Sequence, residues 1–381
     1  MHLPPLGLYI HLPWCERKCP YCDFNSHEIS RVPEKQYVRA LLQDLQDDLH
    51  YVQGRTIGTL FIGGGTPSLF SANAIRLLLR GIAELVHLAP TLEATMEANP
   101  GSAEADKFAA FKDAGINRLS LGIQSFNDAH LQALGRVHTS DQAHAAIEFA
   151  YSAGFDHVNL DLMHGLPGQT LSGAENDLLT AIAHHPAHLS WYQLTIEPNT
   201  VYHKRPPVLP VEDALADIQE YGEQLLAKNG YSQYEVSAYS KPGLNCLHNS
   251  NYWSFGDYLG IGAGAHGKIT FIDGRIQRFA KRRQPQNYMA ATAGGFIASR
   301  RTLKLDEIVG EFMMNALRLN DGFTLPRFTS RTGLDAHVWA PQLELLCQRG
   351  LLQRDSEQVK TTDLGRRFLD SVIAEFFGDS P

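Results

Sequence analysis

The stretch Tyr9–His27, YIHLPWCERKCPYCDFNSH, holds three of the chain's five cysteines. Cys15, Cys19 and Cys22 follow the spacing C-x3-C-x2-C. Thiolates at this spacing can turn toward one centre, and soft thiolates select zinc, copper(I) or iron–sulfur clusters. A structural zinc site is usually closed by four ligands, commonly from paired C-x2-C units, and this stretch has no second pair. A four-iron cluster held by three cysteines would leave one iron open to a substrate or cofactor.

Two other interpretations of the cysteines are open on spacing alone. Three cysteines cannot all pair in disulfides, and an oxidised pair is unusual in a chain without secretory features. A zinc ion completed by His11 or His27 remains an alternative.

Composition limits the class of protein. With 381 residues the chain can bury a large core and is expected to have more than one domain. A hydrophobic content of 44% and a charged content of 19% are typical of a soluble globular protein. The net charge of −8 argues against non-specific binding to nucleic acid or anionic membranes. No apolar run is long enough to span a membrane and the N-terminus lacks signal-peptide features, so a cytoplasmic location is expected.

Strand and helix patterns alternate over the first two-thirds of the chain. The expected strands are Leu8–Leu12, Thr59–Ile62, Leu92–Glu97, Arg118–Ile123, His157–Leu162 and Ser190–Ile196. The expected helices are Glu34–His50, Ala72–Val86, Glu104–Ala114, Ser140–Ser152, Ser172–His184 and Val211–Lys228. This alternation predicts an α/β fold with a parallel sheet covered by helices. Six units make an incomplete (βα)6 TIM-like barrel, because a full barrel of eight usually takes about 250 residues.

Polar and glycine residues follow the predicted strands where such barrels carry their chemistry, at the C-terminal strand ends. Gly63–Pro67 is a glycine-rich turn after the second strand, and glycines let backbone groups approach a ligand. Glu97 and Gln124 end the third and fourth strands. Arg136 offers a planar donor fork. Asp161 lies in an apolar strand, where an unpaired carboxylate is costly, so we expect it to have a partner.

The three cysteines are preceded by Tyr-Ile-His-Leu-Pro and followed by Asp-Phe-Asn-Ser. This pattern resembles the radical S-adenosylmethionine (SAM) superfamily, and within it the HemN/HemW branch. That branch holds anaerobic coproporphyrinogen dehydrogenases and heme chaperones, and the resemblance covers nearly the whole chain. It implies a [4Fe-4S] cluster on Cys15, Cys19 and Cys22, with SAM on the open iron and an electron donor in the cell. It also implies a SAM site formed by Tyr9, Tyr21, Gly64, Gly65, Thr66, Glu97, Gln124, Arg136 and Asp161.

A second dense motif, Cys246–Trp253, reads C-L-H-N-S-N-Y-W and precedes the glycine-rich Gly260–Gly267. Imidazole and thiolate are both iron ligands in heme proteins. The His-Asn-x-x-Tyr-Trp pattern resembles the heme-chaperone branch, which implies heme binding at His248, at or outside the rim of the barrel. Cys246 and His266 compete for that role, and a packed aromatic turn with a hydrogen-bonded histidine is the structural alternative.

The remainder of the chain changes in pattern. Arg275–Arg283 contains five basic residues, which we expect to be a solvated face, with attraction of propionates or another anionic partner as the functional option. Residues 301–381 predict helices, a hairpin and a final helix, Asp363–Phe377, in a winged-helix-like domain. The presumed recognition helix, Pro341–Gln348, has no cation, so no nucleic-acid partner is expected. The predicted domains are 1–240 for the barrel, 241–300 for a connecting region and 301–381 for the C-terminal domain.

Two functions from different classes fit this pattern. One is a heme chaperone that passes heme to an acceptor protein, with peripheral contact to membrane-bound acceptors as a further expectation. The other is an oxygen-independent coproporphyrinogen III dehydrogenase that decarboxylates propionates. The dehydrogenase branch has a fourth cysteine where this chain has Phe24, and an N-terminal extension before a first strand that here begins by about Leu8. Both departures favour the chaperone.

Overall fold

The computed structural model describes residues 3–101 and 105–377. Its centre is a sheet of twelve strands in the order β12-β11-β10-β9-β1-β2-β3-β4-β5-β6-β8-β7. The strands, numbered along the chain, are β1 Leu6–Leu12, β2 Ile57–Gly64, β3 Leu88–Ala98, β4 Arg118–Gln124, β5 His157–His164, β6 His188–Gln193, β7 Ser232–Glu235, β8 Ala238–Ser240, β9 Asp257–Ile261, β10 His266–Thr270, β11 Ile276–Lys281 and β12 Ile297–Thr302.

Strands β1 to β6 are parallel and adjacent in chain order, which confirms the six predicted strand–helix units. Helices cover them because parallel strands bury both faces; β4, for example, is buried at every position. The helices of this part are Glu34–Asp47, Leu49–Val52, Ala72–Leu85, Ala105–Ala114, Asp128–Ala133, Ser140–Ser152, Leu171–Ala183, Val201–Lys204 and Glu212–Lys228. The sheet does not close, since β7 and β12 are its two edges.

A seventh parallel strand, β9, pairs with β1 on the side away from β2, and the sequence did not reveal it. Its carboxylate, Asp257, is buried between the cations of Arg55 at 2.7 Å and Lys268 at 2.8 Å. Strands β10, β11 and β12 continue the sheet in antiparallel order. The segment after the barrel therefore extends the barrel's own sheet, while the domain boundaries near 240 and 300 remain predictions.

The basic run Arg275–Arg283 does not form one solvated face. Lys281 is fully buried, with its Nζ 2.6 Å from Asp44 and 2.7 Å from Asp48. Arg278 is half-buried and pairs with Glu311. The expectation of a solvated face is wrong for these two, because each side chain packs into the protein against acidic partners that offset the cost of burying its charge.

The C-terminal part has its own hydrophobic core around Phe312, Phe328 and Trp339. Its helices are Leu305–Ala316, Leu325–Thr332 and Ala340–Gln348, and its sheet has the order Phe323–Thr324, Gln358–Thr361, Leu352–Asp355. This arrangement is the predicted winged-helix-like one. The last predicted helix is instead two, Asp363–Arg367 and Leu369–Ala374, because the backbone at Phe368 has φ −115° and ψ 34°, outside the α-helical region.

The smaller elements complete the described chain. They are the strands Trp14–Cys15 and His27–Glu28, the helices Leu247–Trp253 and Pro285–Met289, and the 3-10 turns Pro67–Leu69 and Ala336–Trp339. We call Leu247–Trp253 the motif helix.

Among the described residues, none of the helices combines the length and the apolar character needed to cross a membrane.

Candidate functional site

A cavity of about 410 Å³ opens at the C-terminal ends of the parallel strands, and we call it the central cavity. The residues assigned from the sequence to the cluster and to SAM all line it, together with His248, the first choice for the heme ligand. They are Tyr9, Cys15, Cys19, Tyr21, Cys22, Gly64, Gly65, Thr66, Glu97, Gln124, Arg136, Asp161 and His248. The structure thus brings these residues together, while their individual ligand roles remain predictions.

The cysteine loop is held at both ends by backbone pairing. Trp14–Cys15 pairs in parallel with His27–Glu28, and the Ile29 amide donates to the Cys15 carbonyl at 3.1 Å. Cys15 is buried and Cys22 half-buried, and burial raises the pKa of both thiols. The Arg136 guanidinium lies 3.7 Å from the Cys19 sulfur, so a cation accompanies the thiols.

The geometry favours a cluster over a zinc ion completed by histidine. Both ring nitrogens of His11 are engaged, Nδ1 with the Tyr9 hydroxyl at 3.0 Å and Nε2 with the Asn25 carbonyl at 2.9 Å. His27 does not line the central cavity. Within residues 3–101 and 105–377 no three ligating side chains are grouped to hold a single metal ion. Cluster thiolates bind separate irons, so three spaced thiols fit a cluster.

The glycine turn packs directly against the cysteine loop. Gly64 has a φ of +115°, which L side chains rarely adopt, and its amide donates to Glu97 Oε2 at 3.1 Å. A Cβ on Gly65 would lie 2.4 Å from the Trp14 carbonyl oxygen. Both positions therefore require glycine, and the turn brings backbone groups to the cavity wall beside the cysteines.

Two half-buried carboxyl groups, Glu97 and Asp161, give the cavity an acidic wall. Burial, and then the negative charge of Asp161, raise the pKa of Glu97 to about 8. Burial also raises the pKa of Asp161, although its oxygens accept from Ser120 Oγ and Asn159 Nδ2, each at 2.8 Å. Such a pair favours a ligand with positive charge, and SAM carries a sulfonium and an ammonium group.

Arg136 gives the opposite charge on another wall. Its Nη2 donates to Asn99 Oδ1 at 2.6 Å and to the Gly122 carbonyl at 2.8 Å. Its Nε is buried with no hydrogen-bond partner among the described residues. A buried donor without an acceptor is costly, so the site fits a ligand that brings a carboxylate.

Sequence reasoning missed a polar network across β4, β5 and β6. Asn159 Nδ2 donates to Ser120 Oγ at 2.7 Å, and Asn159 Oδ1 lies 2.6 Å from His188 Nδ1. Alternate residues of a strand face the same side, so Arg118, Ser120 and Gln124 point inward together. That alternation was the available signal for the additional lining residues, which are Arg118, Ser120, Asn159, His188, Ser190 and Tyr192.

His248 lies on the motif helix in the wall of the central cavity, with only 5% of its surface exposed. The motif helix packs its ring 5.3 Å from Phe61, so the side chain lies inside the wall, and the expectation that heme meets it at or outside the rim stays a prediction. Its Nδ1 is 3.0 Å from Thr59 Oγ1, and burial lowers its pKa to about 3. The imidazole is therefore neutral and oriented, as an iron ligand must be.

The two competing ligands differ from His248 and from each other. Cys246 is buried 3.6 Å from Glu93, and burial raises the pKa of its thiol to about 11. His266 is exposed and lines a second cavity of about 480 Å³, which we call the side cavity. Tyr9, Phe24, His248 and Tyr252 line both cavities, and we call Tyr9, His248 and Tyr252 their shared wall.

Two family models match the chain. Residues 9–181 match the radical SAM superfamily, and residues 303–368 match the HemN C-terminal domain. The first match contains the cysteine loop and strands β2 to β5, whose ends line the central cavity, and it stops before β6.

Several relatives are similar over nearly the full length. The chain is 51% identical over 378 residues to the heme chaperone HemW of Escherichia coli, with 99% of each chain covered. It is 35% identical to the heme chaperone HemW of Bacillus subtilis, covering 97% of this chain and 99% of the relative. It is also 34% identical to mouse radical S-adenosyl methionine domain-containing protein 1, mitochondrial, covering 96% and 86%.

Among solved structures, the chain is similar to coproporphyrinogen III oxidase (HemN) of Escherichia coli. The TM-score is 0.84 at 23% identity, covering 99% of this chain and 91% of the other. At that identity the similarity establishes the fold and not the activity.

Proposed function

The chain belongs to the HemW family within the radical SAM superfamily, and from this premise we propose that it binds heme and passes it to an acceptor protein. The observation that carries the proposal is His248, a buried, neutral imidazole held in the wall of the cavity beside the cysteine loop. Neutral imidazole is a common axial ligand of heme iron.

Cys15, Cys19 and Cys22 are the proposed ligands of the family's [4Fe-4S] cluster. When bound, the cluster supplies the electron that cleaves SAM. Glu97 and Asp161 attract the positive groups of SAM, and the free Nε of Arg136 donates to its carboxylate. The backbone of Gly64 and Gly65 approaches the ligand, since neither position carries a side chain. The other proposed SAM-binding residues are Tyr9, Tyr21, Thr66 and Gln124.

His248 is the proposed heme ligand through its Nε2. The contact between Nδ1 and Thr59 Oγ1 fixes the ring orientation and the tautomer, as outer partners of metal-binding histidines generally do. Glu93 fixes the helix that carries the ring, because its two oxygens accept from the amides of Leu247 and His248 at 3.0 and 2.9 Å.

The finer partners follow from the same proposal. A heme chaperone requires an acceptor protein, and a cluster that is reduced requires an electron donor in the cell. We place the protein in the cytoplasm, with peripheral contact to membrane-bound acceptors.

The test is anaerobic reconstitution with iron and sulfide, followed by titration with hemin and an assay with coproporphyrinogen III, SAM and reductant. We expect stoichiometric heme binding without loss of propionates. His248→Ala should weaken heme binding strongly, whereas His337→Ala, an exposed histidine of the C-terminal part, should not. Decarboxylation that depends on SAM would make the protein a dehydrogenase, and unchanged heme affinity in His248→Ala would move the ligand elsewhere.

A further inference from the structure

The side cavity lies at the C-terminal end of β9, beside the cysteine loop. Such strand ends are where α/β folds bind ligands, and β9 is the seventh parallel strand rather than one of the six around SAM. Its volume of about 480 Å³ lies within the usual range for small-molecule sites, about 300–1,000 Å³. The SAM and cluster chemistry leaves this cavity without a role.

The walls of the side cavity are suited to a flat aromatic ligand. Phe24 lines it with 63% of its surface exposed, so its ring is open to a ligand, and it lines the central cavity as well. Tyr252 and Tyr258 supply two more rings. Gly264 also lines the side cavity. A Cβ at this position would lie 2.4 Å from the Asn25 side chain, so the backbone comes close to the cysteine loop there.

His266 brings a metal ligand to this cavity. It is exposed at the start of β10, and its side chain has no hydrogen-bond partner in the part of the chain that the structure describes. Partial burial, followed by the positive charges of Arg278 and Arg283, lowers its pKa and so favours the neutral ring. The imidazole is thus reachable from solvent and unpaired within the described residues.

Arg283 brings a cation to the same cavity. Unlike Arg278 and Lys281 of the same basic run, it forms no ion pair among the described residues. Asp23 also lines the cavity but does not pair with it. A free guanidinium is the side chain best suited to a carboxylate, which it can bind with two parallel hydrogen bonds.

We propose that the side cavity seats the porphyrin ring of heme, with His266 as an iron ligand beside His248 and Arg283 paired with a propionate. This inference rests on the proposed heme function and adds the location of the ring and two of its contacts. The shared wall of Tyr9, His248 and Tyr252 then separates heme from SAM.

The test titrates three porphyrins against the full-length, reconstituted protein: hemin, iron-free protoporphyrin IX, and the dimethyl ester of hemin. His266→Ala should lower the affinity for hemin by about tenfold or more and leave the affinity for protoporphyrin IX unchanged, because only hemin has iron to bind. Arg283→Gln should lower the affinity for hemin by about fivefold and leave the affinity for the dimethyl ester unchanged, because the ester has no free carboxylate.

Matched controls separate the site from general effects. Arg282→Gln removes the adjacent charge. The Arg282 guanidinium donates to the Gly295 carbonyl and does not line the side cavity. The Arg282→Gln variant should therefore bind all three porphyrins as the wild type does. SAM binding should be retained in every variant, which shows that the variants are folded.

Each outcome decides between the two proposals. Wild-type protein that fails to bind hemin would overturn the proposed function itself. Wild-type binding that is lost in His248→Ala but unchanged in both His266→Ala and Arg283→Gln would overturn the side-cavity site alone. Equal losses for all three porphyrins in those variants would also overturn it, because iron and carboxylate contacts would then not be involved.

Discussion

The central cavity presents the half-buried carboxylates of Glu97 and Asp161, whereas the side cavity on the other side of their shared wall presents the exposed guanidinium of Arg283 and the exposed imidazole of His266. The first holds its polar groups in a dense network fixed by neighbouring strands. The second has free groups and open aromatic rings. The difference fits the two proposed roles, a small ligand held by fixed groups in the central cavity and a larger ligand with access to solvent in the side cavity.

The wall is where the two cavities can influence each other. His248 belongs to both, with its Nδ1 on Thr59 of β2 and its ring beside Phe61. A ligand that shifts the motif helix from one side would change the affinity of the other by a reciprocal factor. The following predictions run from the largest expected effect to the smallest.

The largest effect is expected for Cys19→Ser. Because each of three thiolates is needed for the cluster, iron and sulfide content after anaerobic reconstitution should fall to near zero. Cys347→Ser, in the C-terminal part and outside the central cavity, should keep both. Full iron and sulfide in Cys19→Ser would refute the cluster assignment, and loss of hemin binding to the same extent would mean that the two cavities are not separate sites.

The second effect is a pH dependence of SAM affinity in the central cavity. The free protein keeps the Glu97 carboxyl protonated below a pKa of about 8, and a cationic ligand favours its ionised form. Binding below that pH must release a proton, so SAM affinity should rise by up to about tenfold per pH unit toward pH 8. Equilibrium dialysis with labelled SAM measures this slope.

Glu97→Gln should lose this part of the slope and bind SAM about tenfold more weakly near pH 8, because the amide cannot ionise. Glu84→Gln, an exposed change on the helix Ala72–Leu85, serves as the control. Hemin affinity should not follow the same pH curve. An identical slope in Glu97→Gln would show that another group titrates.

The third effect belongs to the wall. Thr59→Val keeps the shape of the side chain and removes the Oγ1 that lies 3.0 Å from His248 Nδ1. Loss of such an outer partner typically costs about tenfold or more in metal affinity, so hemin should bind about tenfold more weakly while SAM affinity stays the same. Thr95→Val is the matched control, since Thr95 is buried on the next strand with an unpartnered hydroxyl. Equal losses in both variants would point to strand packing instead.

The central cavity was largely predictable from the sequence because its residues follow successive strand ends. Once the alternation of strands and helices is recognised, Glu97, Gln124 and Asp161 must meet at one end of the barrel. What the sequence reading omitted, such as Asn159 and His188, alternates with apolar residues inside strands that appear continuous and buried. Their partners are set by strand register, which a single chain does not reveal.

The side cavity could not be predicted for a different physical reason. Its lining comes from segments far apart in the chain, around Asn25, His248, Tyr258 and Arg283, which β9 brings together by pairing with β1. That pairing joins residues about 250 positions apart. The basic run also appeared uniform in the sequence. In the structure, Lys281 forms buried ion pairs, whereas Arg283 forms no ion pair among the described residues.

The smallest effect is expected where the C-terminal part touches the motif helix. The Arg318 guanidinium lies 4.5 Å over the Trp253 ring at the end of the motif helix, and 3.7 Å from Glu235 Oε2. Arg318→Ala should lower the free energy of unfolding by about 1 kcal/mol, since it removes a partly buried cation–π contact and a weak ion pair.

The destabilisation caused by Arg318→Ala should depend on pH, and the pKa of Glu235 sets the direction. Burial raises the pKa of Glu235, and the positive charge of Arg318 opposes that rise. Without Arg318 the carboxyl is harder to ionise, so the destabilisation measured by urea unfolding should grow as the pH increases. Arg275→Ala, which removes an exposed pair with Asp273, should show almost no change. If Arg318→Ala also lowers the affinity for hemin but not for SAM, the C-terminal part supports the side of the wall that faces the side cavity. Equal losses of affinity for both ligands would mean that it supports the whole motif helix.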